Sequence, residues 1–409
     1  MAVIDERVNR QGVAKIILVG WAVVALGLAA CSNRNNDHPA SAMQTKIAAR
    51  LADPAFCPSG DSQDIQRIVD GAGSDEAVSL PEGCYRISGT INLPPGVRLV
   101  GAGMDKTILY REPGRLYSQP MLRVNGGGSA SGGTQISGLA LVGVRETNDL
   151  GQDYGILLSN VADFRVDHCY FEGFGFAALR VEGVSYGVVD HSTFVDNFKQ
   201  GINNLGYGVV VYGDGRWDKK VQPVRNHATF VEDSLFVGNR HAIAANAGAY
   251  YVFRHNRVLH NVVACAVDAH GMRYGSAHGT RYVEIYNNAI EDPVYDWCGI
   301  GIRGGSGVIF GNTLRGFENP ILLILEWGTP GSLKVEYPAH DQIQDLYIWD
   351  NRMGGGHSKP QVDETGIGFI EAGRDYFTES APGYSPYEYP HPLTNDVMFG
   401  GAPRPPDEN

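Results

Sequence analysis

From about residue 150 the chain repeats a pattern of short apolar runs separated by polar turns. Seven segments superpose: RVDHCYF (165–171), VVDHSTF (188–194), VEDSLF (231–236), FRHNRV (253–258), IYNNAI (285–290), FGNTL (310–314) and WDNRM (349–353). In each, a strand-like run meets a polar pair and then a short apolar strand. The second member of the pair is Cys169, Ser192, Ser234, Asn256, Asn288, Asn312 and Asn351, at spacings of 23, 42, 22, 32, 24 and 39. The unit is therefore about 22–24 residues, with insertions in alternate units. Helical solenoids have longer units with 3.6-residue periodicity, which is missing here. A unit this short holds three strands and three turns, one coil of a parallel β-solenoid.

Before each polar pair lies another strand: GILLS (155–159), ALRVE (178–182), GVVVY (208–212), AIAAN (242–246), AVDAH (266–270), GIGIR (299–303) and LLILE (322–326). Period-two alternation puts Ile156/Leu158, Leu179/Val181, Val209/Val211, Ile243/Ala245, Val267/Ala269, Ile300/Ile302 and Leu323/Leu325 on the inner face. Two columns then face outward. One is Leu157, Arg180, Val210, Ala244, Asp268, Gly301 and Ile324. The other is Ser159, Glu182, Tyr212, Asn246, His270, Arg303 and Glu326, polar in every unit. Three long insertions leave at the same corner, after Tyr212, His270 and Glu326. In repeat folds such insertions gather on one face, often the binding face.

An asparagine recurring at one turn has a physical role: its amide bonds turn backbone and the next coil's amide where both would be buried. This ladder, together with DSQDIQRIVDGAG (61–73) and AVSLPEGCYRISGTINLPPGVRLVGAG (77–103), resembles the pectate-lyase superfamily over residues 57–375. The resemblance implies an all-β fold: a right-handed, single-stranded parallel β-helix of about 8–10 coils with a short N-terminal capping helix. Residues 376–393 (YFTESAPGYSPYEYPHPL) resemble the closing segment of secreted β-helix proteins, and residues 394–409 are expected to be disordered.

The amino terminus changes the picture of location. Residues 16–30 are an apolar run behind Arg7, Arg10 and Lys15, the length of a signal-peptide core and too short to span a bilayer. It ends in Leu28-Ala29-Ala30-Cys31, which resembles a bacterial lipobox and implies cleavage before Cys31 and its acylation. The expectation is an envelope protein held by its lipid, with residues 31–56 as a flexible tether bearing at most one helical turn. The whole chain carries 33 Lys+Arg against 45 Asp+Glu, a net charge of −12, which excludes the cationic footprint of a nucleic-acid binder. A monomer is expected. Five further cysteines lie in a disulfide-permissive setting. Cys57 and Cys84 are candidate partners, Cys265 and Cys298 suit either a disulfide or two stacked thiols, and Cys169 reads as a buried apolar group.

The polar column and the loops over it suggest carbohydrate chemistry. Trp217, Lys219, Arg281 and Trp327 stand in or beside the insertions, where rings stack on sugars and cations hold carboxylates. The expected ligand is an anionic polysaccharide, contacted also by Asn246, Glu326, Arg180, Glu182 and His241. For β-elimination, His270 suits the base, Arg303 one coil away the carboxylate binder, and Tyr212 an acid or second base. Asp268 would orient the imidazole or take a metal ion. Calcium is an allowed cofactor, although no Cys/His metal spacing is present. A glycoside hydrolase using Asp268 and Glu326 is the alternative, with backbones roughly 12 Å apart on a 4.8 Å coil spacing. A non-catalytic glycan-binding or envelope-structural β-helix is the other. Neither the polygalacturonase residue set nor the Arg-x-Pro-x-x-Arg of pectate lyases occurs. His168, His191 and His255 read as structural turn residues.

Overall fold

The computed structural model describes residues 38–395 apart from 54, 58–61, 72–76, 128–132, 145–152, 200–204, 218–222, 224–225, 261–263, 273–276, 294–296 and 327–336. The leader, Cys31 and the tail beyond 395 lie outside the described residues. Among those residues, no helix is long and apolar enough to cross a membrane.

The strands fall into three parallel sheets because each pairs with the strand three places further along the chain. The first sheet starts at Ala77–Leu80 and has eleven strands; the second starts at Gly83–Arg86 and the third at Ile91–Leu93, with ten each. Ten coils of three strands result, closed by Tyr376–Phe377. This is the parallel β-helix expected from the repeat. Helix Ser62–Asp70 covers the open edge of the first coil. Its Gln66 side chain pairs with the backbone of Asn92 in both directions, at 3.1 and 2.8 Å, so an exposed strand edge is satisfied.

The core is one continuous apolar column from Ile65 to Ile370. Identical slots stack coil upon coil: the rings of Phe171, Phe194 and Phe236 lie face to face with centroids 4.8 and 4.6 Å apart. The polar pair at each repeat is a turn with two demands. Its first member takes a left-handed backbone in every unit: His168, His191, Asp233, His255, Asn287, Gly311 and Asp350 have φ between 46° and 67°. Only glycine and short polar side chains visit that region readily, which explains the choice of residue there. The second member points inward and forms the ladder. Asn256 donates to Asn288 Oδ1 (3.2 Å), Asn288 to Asn312 Oδ1 (2.9 Å) and Asn312 to Asn351 Oδ1 (2.9 Å). Each Oδ1 also accepts the preceding coil's backbone N–H, Asn256 Oδ1 that of Ser234, and serine hydroxyls fill that role below, Ser234 Oγ accepting from Ser192 N–H and Ser192 Oγ from Cys169 N–H. A second, shorter ladder that the repeat alone does not reveal joins Asn197 to Asn239 at 2.8 Å.

Two terminal segments lie against the coils. The expected tether holds a full helix, Ser41–Ala52, where a single turn was anticipated. Its alanine-rich sequence has high helix propensity, and Ile47, Arg50 and Lys46 anchor it through burial and ion pairs with Glu82 and Asp105. At the other end, residues 384–391 run along the outer face of the first sheet. Buried Arg254 pairs with Glu232 (2.6 Å) and donates to the carbonyls of Tyr387 and Glu388, both at 2.8 Å. Tyr384 Oη donates to Glu284 Oε2 at 2.8 Å. Cys57 is joined to Cys84 and Cys265 to Cys298 by disulfides, while Cys169 is a buried free thiol whose ionisation burial pushes up.

Two outcomes follow from this packing. Asn288→Ala removes a side chain that donates to the Phe253 carbonyl and to Asn312 and accepts from Asn256. It orphans buried groups on both neighbouring coils, so chemical denaturation should register a loss of about 3 kcal/mol or more. Burial pushes the Glu284 carboxyl up to about 7 from an ordinary 4.5, the Tyr384 hydrogen bond pulling back only partly. The native state thus holds a proton that the unfolded chain releases. This contribution is complete below pH ~4.5 and is lost as pH rises through about 7, by which point the loss amounts to roughly 2–3 kcal/mol. Glu284→Gln should flatten that slope in thermal melts taken from pH 4 to 8 and raise the melting temperature at pH 8.

Candidate active site

The outer face of the third sheet carries three columns instead of two. Simple alternation would turn Ala178, Ala242 and Ala266 outward and His241 inward. In the structure Ala178 and Leu179 both enter the core, as do Ala242 with Ile243 and Ala266 with Val267. Small residues are needed at the doubled slot: a Cβ on Gly208 would meet the Phe236 ring at 2.8 Å. The residue before it therefore turns out. Tyr154, Ala177 and Tyr207 lie in an outer cluster with Val210, and His241, Cys265 and Cys298 continue that column. No period-two reading finds it; the recurring Gly/Ala slot is the signal in the sequence that does.

Strand registers confirm the neighbouring positions of His270 and Arg303, since Ala269 pairs with Ile302. They correct the last coil. Ile302 pairs with Leu323, not with Leu325, so Ile324 stands beside Arg303 and Glu326 lies two residues further on. The LLILE run is apolar at alternate places in either register, and the pairing resolves the choice by hydrogen bonds such as Ile324 N–H to the Ile302 carbonyl at 2.8 Å.

Glu326 nonetheless folds back onto the site. Its Oε2 accepts from Gly271 N–H at 3.1 Å and lies 3.3 Å from His270 Nδ1, while Oε1 accepts from Arg303 Nη1 at 3.1 Å. Arg303 Nε donates to Asp268 Oδ1 at 3.0 Å. One guanidinium thus joins both carboxylates, and His270 sits between them with Nε2 3.0 Å from Asp268 Oδ2. Two glycines make this convergence feasible. A Cβ on Gly271 would lie 2.5 Å from the Arg303 carbonyl, and one on Gly301 would meet Cys265 Sγ at 2.5 Å. Asp268 is fully buried, His270 nearly so, and the Glu326 side chain is 20% exposed and that of Arg303 14%. His241 completes the group from the additional column: its Nε2 is 4.0 Å from Asp268 Oδ2, its Nδ1 pairs with the Cys265 carbonyl and its ring stacks on Tyr207. Burial, helped by the positive field of Arg240, His270 and Arg303, holds the His241 imidazole well below the usual histidine range, so it is neutral at pH 7.

The other expected site residues separate into two groups. Tyr212, two coils from His270, does not join the knot. It lies beneath Arg180, whose guanidinium is 4.9 Å from the Tyr212 ring and 2.7 Å from Glu182. Glu182 also accepts from Ser159 Oγ at 2.6 Å, and Asn246 Oδ1 caps Ala247 N–H. The insertions do meet over the face. Trp217 from the first, His278 from the second and His340 from the third form a continuous ring stack with centroids 5.1 and 5.3 Å apart. Asp341 binds His278 Nδ1 at 3.0 Å, and Arg281 lies over Trp217 at 5.1 Å. Lys219 and Trp327 lie outside the described residues.

Calcium does not suit the Asp268 pocket. It takes six to eight oxygen ligands, whereas Asp268 is flanked by two imidazoles and a guanidinium.

No family model and no curated protein sequence matches the chain. Solved structures do. A mannuronic acid specific polysaccharide family 6 lyase from human gut microbiota is 16% identical, over 75% of this chain and 77% of that one, with a TM-score of 0.48. A family 28 exopolygalacturonase of Yersinia enterocolitica is 11% identical over 74% and 69%, with a TM-score of 0.43. The A-module of a mannuronan C-5 epimerase from Azotobacter vinelandii is 14% identical over 73% and 85%, with a TM-score of 0.42. A shared coil architecture hosts several reactions and does not choose between them.

Proposed function

We propose that the chain is a lipid-anchored envelope protein that lays an anionic polysaccharide along the outer face of the third sheet and cleaves it by β-elimination at Arg303, Glu326 and His270. The observation that carries this reading is the unequal exposure of the two carboxylates. A glycosidase needs two carboxyl groups reaching opposite sides of one bond, and Asp268 is fully buried while Glu326 reaches the surface. One accessible carboxylate beside one accessible guanidinium fits elimination better.

Each group then has a task. The Arg303 side chain offsets the charge of the uronate carboxylate, which acidifies the neighbouring C5 proton. Glu326 takes that proton, the C5–H electron pair forms the C4–C5 double bond, and the C4–O bond breaks. The same carboxyl returns a proton to the leaving oxygen. His270, whose Nδ1 faces Glu326 and whose Nε2 faces Asp268, positions Glu326 and is not itself the base. This reassigns the base from His270, because both of its ring nitrogens face carboxylates and the ring is buried. Trp217 and Arg281 border the groove as sugar- and carboxylate-binding groups.

On a panel of polyuronates the protein should generate the ultraviolet absorbance of unsaturated uronate ends. Glu326→Gln and Arg303→Gln should each lower kcat/KM by about 10²–10⁴-fold, with circular dichroism confirming the fold. New reducing ends without that absorbance would identify a hydrolase instead; binding with neither product would leave a glycan-binding module. For the anchor, Cys31→Ser expressed in a bacterial host should move the protein from the membrane fraction to the soluble fraction. A substitution that leaves it in the membrane fraction refutes acylation at that residue.

A further inference from the structure

Three ligand atoms converge under the floor of the groove, two of them with nothing to bind. His241 Nε2 and Asp268 Oδ2 are buried and have no hydrogen-bond partner. His270 Nε2 lies 3.0 Å from Asp268 Oδ2 but is not aligned for a hydrogen bond with it. The three atoms all lie within 4.8 Å of one another. An orphaned buried nitrogen and an orphaned carboxylate oxygen each carry a desolvation cost, which a folded chain keeps only for a reason.

The opposite edges of both rings reveal what is missing. His241 Nδ1 faces the Cys265 carbonyl, an acceptor, so Nδ1 carries the hydrogen and Nε2 presents a lone pair. His270 Nδ1 faces the Glu326 carboxylate, and in the tautomer with Nδ1–H toward Glu326 its Nε2 lone pair is directed at Asp268 Oδ2. Two lone pairs and a carboxylate oxygen facing one another repel unless a cation stands between them. A carbonyl behind one histidine and a carboxylate behind the other is also the outer arrangement that orients metal-bound imidazoles.

We propose that His241 Nε2, Asp268 Oδ2 and His270 Nε2 bind one divalent d-block cation, with Zn2+ as the probe. Two imidazoles and one carboxylate suit ions of the Fe2+ to Zn2+ series and not Ca2+ or Mg2+. Metal–ligand bonds of 2.0–2.1 Å in a tetrahedral site set ligand atoms about 3.4 Å apart. The observed separations of 3.0 and 4.0 Å from Asp268 lie on either side of that value and the two imidazole nitrogens lie within 4.8 Å of each other, so closing the set takes side-chain adjustments of about 1 Å or less. The charges allow it: Asp268 and Glu326 outweigh Arg303 by one, and the Asp268 oxygen that faces the pocket is not the one held by Arg303. The remaining coordination position is left to water. The site lies beneath the groove and would hold His270 with its Nδ1–H toward Glu326. It stands on its own geometry, whatever reaction the groove performs.

The test uses the untagged mature protein after chelator treatment. Isothermal titration with Zn2+ should give one equivalent per chain, and Zn2+ should raise the melting temperature, as binding to the native state alone requires. Nitrogen NMR of the wild-type histidine rings should move the Nε2 resonances of His241 and His270 and leave those of His278 and His340 in place. His241→Gln should weaken Zn2+ binding by well over tenfold, and His340→Gln, in the separate cluster of His278, His340 and Asp341, should not. No uptake by the folded wild-type protein would overturn the proposal. So would Zn2+ shifts confined to His278 and His340, or affinity unchanged in His241→Gln. Because the wild-type readouts do not involve catalysis, an inactive protein that binds Zn2+ sinks the elimination reading and leaves the metal site standing.

Discussion

The structure depends on satisfying backbone polar groups where each coil turns through its own interior. A solenoid has no second layer to cover its turns, so the amides at the inward corner must pair with the coils above and below. The Asn256–Asn288–Asn312–Asn351 ladder does this with both ends of each side-chain amide, and the serines of the earlier coils do it with a hydroxyl. The left-handed residue before each rung exists to aim it inward. Rung on rung, these contacts lock the register of all three sheets together.

That lock turns sequence distance into spatial proximity on a grid. Residues 24 to 33 apart, such as His241, Cys265 and Cys298, become neighbours at about one strand spacing. The charged knot exists only because registration delivers Asp268, His270 and Arg303 to adjacent slots and Gly271 lets the chain at Glu326 approach. Buried ion pairs of this kind rarely repay their desolvation in stability. An apolar column would have closed the same face more firmly, as Ala244 and Val210 do one and two coils earlier. The polar group is therefore best understood as retained for what it binds, not for what it holds together.

Legibility in the sequence followed the same physics. The rungs, the inner face and the His270–Arg303 neighbours were readable because asparagine and period-two alternation impose unmistakable constraints. His241 reads from the sequence as a ligand contact and not as the buried neighbour of Asp268, because two consecutive inward residues break the alternation and the small side chains at Ala242 and Ala266 look unremarkable singly. Glu326 was placed two residues out, because Leu-Leu-Ile-Leu fits either register and only the hydrogen-bond ladder distinguishes them. The helix at Ser41–Ala52 was underestimated because its stability comes from docking, through Ile47 and Arg50, that a local reading does not contain.

The outer columns also bear on which chemistry the face can support. On this scaffold a second accessible carboxylate would have to occupy a slot within about one sugar of Glu326. The outward slots nearby hold Asn246, Gly301 and Ile324, none of which ionises, Asp268 is sealed beneath His270, and Asp363, beside Ile324 in the next coil, is engaged by Thr365 and Gly366. Glu182, an exposed carboxylate of the same column, stands three coils from His270 and is already paired with Arg180. Beside Arg303 the face therefore offers the Glu326 carboxylate next to one cation, with a histidine–aspartate pair behind it. Elimination uses that combination directly, because proton abstraction and charge neutralisation occur on the same side of one sugar. Direct hydrolysis would require the buried carboxylate to move out against its bond to Arg303, leaving the imidazoles beneath without their anion.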